Sequence, residues 1–149
     1  MRWLRQWGPA VAWAAVIWTF STRYFSASAT SRFLLPLFHW LLPHASHQTL
    51  KTMHFLTRKS AHFLEYFIFS LLVLRGLRGT GRPRAVAWPL VAIATAAGYG
   101  SLDELHQAFV PGRTASGWDV LLDSSGAIAA QLLAWVYAWH QSRSLETPA

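Results

Sequence analysis

Cysteine is absent from the 149 residues, which removes disulfides, thiolate catalysis and thiolate-ligated metals from consideration together. Charge is scarce as well. Only 13% of the residues are charged, about half the share in an ordinary soluble domain, and only six are acidic. The chain carries no internal repeat and no low-complexity segment, and at 53% hydrophobic content it is not a disordered chain. It also lacks H-E-x-x-H and any serine or threonine in a recognisable nucleophile motif.

Apolar residues instead fall in blocks. Uncharged runs of 17, 18 and 19 residues occupy positions 6–22, 85–102 and 124–142, and a fourth block covers 60–74. About 20 mostly apolar residues span a bilayer core as helix, with about 17 tolerated, so the pattern predicts an all-α polytopic membrane protein, one domain over 1–149, with four transmembrane helices. The first block follows Arg2 and Arg5 as a signal peptide would. The single cleavage-like stretch, Ala27-Ser28-Ala29, lies past Arg23, so the block reads as a retained span.

Residues 33–43 are apolar, interrupted by Pro36 and too short to cross, which predicts an interfacial or re-entrant segment between the first and second spans. Residues 46–75 contain no Gly or Pro; either one helix starts at Ser46 as N-cap, or a surface helix breaks from the second span near Thr57. The third span carries Pro89 in its first turns and ends at Pro111-Gly112. Ser116 and Asp119 have the spacing of a capping pair at the start of the fourth.

The net charge of +7 comes from 11 Arg and 2 Lys, which in a soluble protein suggests nucleic acid. Here Arg75, Arg78, Arg82 and Arg84 crowd one connection between spans, where positive charge fixes membrane orientation, and no nucleic-acid partner is expected. Both termini are placed in the cytoplasm, with residues 24–57 and 105–117 outside. Arg2, Arg5, Arg75, Arg78, Arg82, Arg84 and Arg143 then lie inside, in short segments, against six positive charges spread outside.

Five of the six acids, Glu65, Asp103, Glu104, Asp119 and Asp123, fall on the outer half in this topology. On the second span Lys59, His62, Glu65, Tyr66 and Ser70 lie within about 140° of one helical face. A charge at mid-membrane costs at least about 2.5–3.5 kcal/mol, so this stripe must face the bundle. Its partners there would be Asp103, His106 and Gln107 on the third span and Asp119 and Asp123 on the fourth, with Arg113 in the loop between them. Asp103 and Glu104 point about 100° apart on a helix, so they cannot both face one atom.

The run Lys59-Ser60-Ala61-His62-Phe63-Leu64-Glu65-Tyr66, then Asp103-Glu104-Leu105-His106-Gln107-Ala108-Phe109-Val110-Pro111-Gly112-Arg113, then Asp119, Asp123 and Gly126, resembles the VanZ-like membrane proteins, named after a teicoplanin-resistance protein. The resemblance is strongest over 58–130. It implies a small multi-pass protein of the bacterial cytoplasmic membrane, linked to antibiotic resistance at the cell envelope. Asp123 stands where that family is expected to carry Asn, and Ala130 where a second Gly is common.

Three chemistries remain open. In the first, Lys59 and Arg113 hold an anionic group of a membrane lipid or lipid-linked envelope precursor, while Tyr66, Gln107, Asp119 and Asp123 complete the binding site. In the second, His62 oriented by Glu65 is a general base and Asp103 or Glu104 an acid, giving a hydrolase or transferase on such a substrate. The third is a metal variant with His62, Glu65, Asp103 and His106 as ligands. Because Lys59 and Arg113 offset part of the acidic charge, the expectation is a metal-free, cofactor-free site.

Overall fold

The computed structural model describes residues 1–80 and 87–146. Arg82 and Arg84, counted above among the inner charges, lie outside the described residues, as does the side chain of Glu146. The described residues form α1 (Arg2–Phe20), a 3-10 turn (Arg23–Phe25), α2 (Ala27–Leu41), α3 (His47–Arg78), α4 (Trp88–Ala108) and α5 (Gly117–Glu146). The fold is all-α with five helices, as expected. Two of them, α3 and α5, are long and apolar enough to cross a membrane.

Local chemistry sets where each helix begins. The Ser46 hydroxyl accepts the Thr49 N–H at 3.1 Å, and with no Gly or Pro before Gly76 the 32 residues of α3 run unbroken. The break near Thr57 does not occur. Likewise, Ser26 caps α2 by accepting the Ala29 N–H at 3.3 Å. Contrary to the expected interruption, α2 passes straight through Pro36; the proline is exposed, so the carbonyl of Arg32 that loses its partner is not trapped in the core. At 15 residues α2 reaches about 22 Å and buries none of its side chains.

The cap at the start of α5 also departs from expectation. Ser116 and Asp119 do not form a reciprocal capping box. Asp119 is drawn into an ion pair with Lys59, and the Ser116 N–H donates instead to Glu104 Oε2 at 2.7 Å. A charged partner competes better for a carboxylate than a backbone amide does, and Glu104 fills the cap that Asp119 leaves.

Helices α1, α3, α4 and α5 pack as a bundle in alternating directions. Trp7 lies against Gly76 and the Trp13 indole N–H donates to the Glu65 carbonyl at 2.9 Å, so α1 and α3 are antiparallel. The pairs Lys59–Asp119 and Ser70–Gln131 make α3 and α5 parallel. Tyr99 donates to the Ala14 carbonyl, tying α4 alongside α1. The α3 and α5 backbones approach closely at Gly126, where an added Cβ would stand 2.3 Å from the Phe63 carbonyl oxygen.

Among the described residues, the fully buried side chains other than Ile17 and Tyr66 are small or polar, including Ser21, Ser70, Ala92, Ala96, Asp103, Asp123, Ala127 and Ala130. Phe69, Val73 and Leu74 join the core, but many large apolar side chains point outward, with Leu90 67%, Leu132 59% and Trp135 64% exposed. This inverts the usual arrangement of a water-soluble domain. Arg2, Arg5, Arg75, Arg78 and Arg143 sit toward one end of the bundle, where Arg75 reaches the Gln6 carbonyl at 3.4 Å; five of the six acids gather toward the other, Glu146 closing α5 at the arginine-rich end.

Candidate functional site

At that other end, the C-terminal turns of α1 and α4 meet the first half of α3 and the N-terminal turns of α5. The stripe expected on the second span turns inward: on α3, His62 and Tyr66 are buried and Glu65 is half-buried. From α5, Asp123 is wholly buried and its Oδ1 lies 3.5 Å from His62 Nδ1. Asp119, one turn earlier, pairs with Lys59.

The adjacent acids of α4 divide their work. Asp103 accepts the Ser21 hydroxyl and the Gln107 side-chain N–H at 2.8 Å, all three groups being buried. Glu104 spends Oε2 on the Ser116 N–H, while its buried Oε1 has no hydrogen-bond partner. Neither acid pairs with Arg113. Gly100 brings the α4 backbone close to Tyr66 and Asp123, since a Cβ there would lie 3.3 Å from both Tyr66 Cε1 and Asp123 Oδ2. The Tyr66 hydroxyl is buried without a partner.

Arg113, positioned by the turn at Gly112 (φ +79°), donates from Nη1 to the Phe25 carbonyl at 2.9 Å. Arg58 donates to the same oxygen at 2.8 Å. Among the described residues neither guanidinium is paired with a carboxylate, and Arg113 Nε is buried and unsatisfied. Burial, reinforced by the neighbouring Arg58, lowers the Arg113 pKa from its ordinary value, although arginine stays charged at any physiological pH.

Both arginines open onto two cavities. One, of about 190 Å³, has Ser21, Thr30, Thr57, Arg58, His62, Glu65 and Arg113 as its polar lining and Phe20, Phe25, Leu34 and Ala61 as apolar walls. The other, of about 170 Å³, adds Lys59, Gln107 and Asp119 to Arg58, His62 and Arg113. The structure thus brings Lys59, His62, Glu65, Tyr66, Asp103, Glu104, Gln107, Arg113, Asp119 and Asp123 to one end of the bundle.

Partners differ from those expected. His62 faces Asp123 rather than Glu65, whose carboxylate lines the larger cavity without bonding the imidazole. The four proposed metal ligands do not form one set: Asp103 is held by Ser21 and Gln107, and His106 stacks on Trp18 with ring centroids 3.9 Å apart. A different trio, His62, Glu104 and Asp123, places ligand atoms within 4.8 Å of one another. Two participants escaped sequence reasoning. Arg58 reads as a membrane-interface anchor beside Lys59, and Ser21 as an ordinary helix end.

The family described as VanZ/LLP1 matches residues 7–138. The chain belongs to the VanZ/LLP1 family. The match takes in α1 as well as the 58–130 region in which the motifs stand, and α1 supplies Ser21 to the site. Ala130 is fully buried, so its methyl group fits at the bundle seam. No curated protein and no solved structure matches the chain.

Proposed function

We propose that this VanZ-family protein spans the bacterial cytoplasmic membrane four times, through α1, α3, α4 and α5, and binds the anionic headgroup of a lipid-linked envelope molecule at its outer end. The inverted packing supports the spans, because a lipid-facing surface is where large apolar side chains are stable without burial. Both termini are then cytoplasmic, with the arginine-rich end inside. Helix α2, amphipathic, proline-containing and too short to cross, lies in the outer interface.

One observation carries the binding reading. Arg58 and Arg113 converge on a neutral carbonyl, with no carboxylate bonded to either, beside a cavity in which Phe20, Phe25, Leu34 and Ala61 form an apolar wall next to Ser21, Thr30, Thr57, His62 and Glu65. Two fixed guanidiniums beside an apolar wall suit a phosphate or carboxylate attached to a hydrocarbon chain. A link to teicoplanin resistance, which the family name carries, fits a ligand drawn from the cell envelope.

A hydrolase or transferase acting on such a molecule is favoured by one feature, the buried His62–Asp123 pair, which resembles the base and its orienting carboxylate in general-base catalysis. Binding of phosphatidic acid to the protein in nanodiscs, against diacylglycerol as the uncharged control, tests the main reading. Loss of a charge-assisted hydrogen bond costs about 1.5–3 kcal/mol, so Arg58→Gln and Arg113→Gln should each weaken phosphatidic acid binding by roughly 10- to 100-fold. Equal binding of both lipids, or no effect of either substitution, refutes it.

A further inference from the structure

The metal-free expectation has Lys59 and Arg113 offset part of the acidic charge, but in the structure only Lys59 pairs with an acid of the cluster. Lys59 is spent on Asp119 and Arg113 on the Phe25 carbonyl. What is left at the centre is Asp123 with both oxygens buried and unsatisfied, Glu104 with Oε1 in the same state, and His62 Nδ1, also unsatisfied. Buried polar atoms without partners are costly, and one ligand atom from each of these three residues comes within 4.8 Å of the others.

We infer that His62, Glu104 and Asp123 bind a divalent transition-metal cation, zinc or manganese, at the floor of the outer site. The three residues come from α3, α4 and α5, so the ion would tie together three of the four bundle helices. Two carboxylates and a neutral imidazole around a dication sum to zero charge, whereas a proton shared by His62 and Asp123 leaves one buried carboxylate uncompensated. An imidazole nitrogen with two carboxylate oxygens is a donor set for zinc or manganese rather than calcium or magnesium.

The spacing is within reach of side-chain adjustment. Three atoms 2.0–2.2 Å from a shared ion in tetrahedral arrangement stand about 3.3–3.6 Å apart, so separations within 4.8 Å close by up to about 1.5 Å when the ion binds. Glu104 is already oriented from behind by the Ser116 N–H on its other oxygen, the kind of outer contact that fixes metal ligands. Three protein ligands leave a coordination position open, and His62 lines both cavities. This site goes beyond anion capture by Arg58 and Arg113 and does not depend on it.

The test uses full-length protein in detergent, without a polyhistidine tag, stripped with chelator and titrated with zinc or manganese alone by calorimetry. One equivalent per chain should bind, and the ion should raise the melting temperature. Glu104→Gln, which keeps an acceptor for Ser116, and Asp123→Asn should weaken binding by more than the 10–100-fold that loss of an outer contact costs, and should abolish the melting shift. His44→Ala, at an exposed histidine outside the site, should retain both. Should Asp123→Asn fail to fold, Glu104→Gln decides. Absence of saturable binding by the wild type, or unchanged binding in Glu104→Gln, overturns the inference, and phosphatidic acid binding is measured separately, so either reading can fail alone.

Discussion

His62, Asp123 and Gly126 mark how far single residues could be read. The three- and four-residue steps of the polar stripe on α3 set its face, because helical period fixes direction around the axis. They could not set its partners. Whether His62 meets Glu65 on its own helix or Asp123 on another depends on how closely α3 and α5 approach, which Gly126 controls from a distance in sequence. Adding one methyl group there should be severe. With its Cβ only 2.3 Å from the Phe63 carbonyl, Gly126→Ala must push two helix backbones apart, at a cost of about 1–3 kcal/mol or more. A lowered melting temperature in detergent is the expected outcome, together with a weaker Lys59–Asp119 pair on the same seam. An unchanged melting temperature would show that the seam has slack.

Helix boundaries were largely legible where the sequence has unambiguous punctuation. Ser46 at one end of α3, and Pro111-Gly112 beyond α4, act through caps and φ restrictions that need no tertiary context. Pro36 did not punctuate, because its exposed side of α2 places no neighbour against the freed carbonyl. The start of α5 falls where Ser116 places it, but its cap was not legible for the opposite reason: a distant lysine claims Asp119, and Glu104, twelve positions upstream of Ser116, supplies the missing acceptor. Replacing Glu104 with Ala therefore unties the first turn of α5. Loss of a cap costs about 1 kcal/mol, and amide exchange at Ser116 should quicken several-fold while amides deep in α5 stay protected. Uniform acceleration along α5 would mean global loosening instead of an untied cap.

Across the whole molecule, the composition foretold an all-helical chain, and the distribution of apolar blocks matches the four bundle helices. Hydropathy alone singles out α3 and α5, because tryptophans, glycines and site acids dilute the apolar character of α1 and α4. The chain has no cysteine of its own, so single cysteines at Ser46, Thr80, Ala115 and Ser144 can be tested with an impermeant thiol reagent in intact cells. Labelling at Ser46 and Ala115, with protection at Thr80 and Ser144, is the expected outcome for four spans with both termini inside. The reverse pattern would turn the acidic end toward the cytoplasm.

The Phe25 carbonyl has one more consequence. It occupies two arginines while carrying no charge of its own, like a plug that any anion can displace. Bonds from a guanidinium to a charged acceptor are roughly twice as strong as those to a neutral one, so exchange runs in the incoming anion's favour and no ion pair has to break first. The released oxygen belongs to the 3-10 turn that leads into α2. Filling the site would therefore loosen one tie of the helix outside the bundle, leaving the Thr30–His54 bond at 3.0 Å, and occupancy would be felt as a change in how α2 is moored.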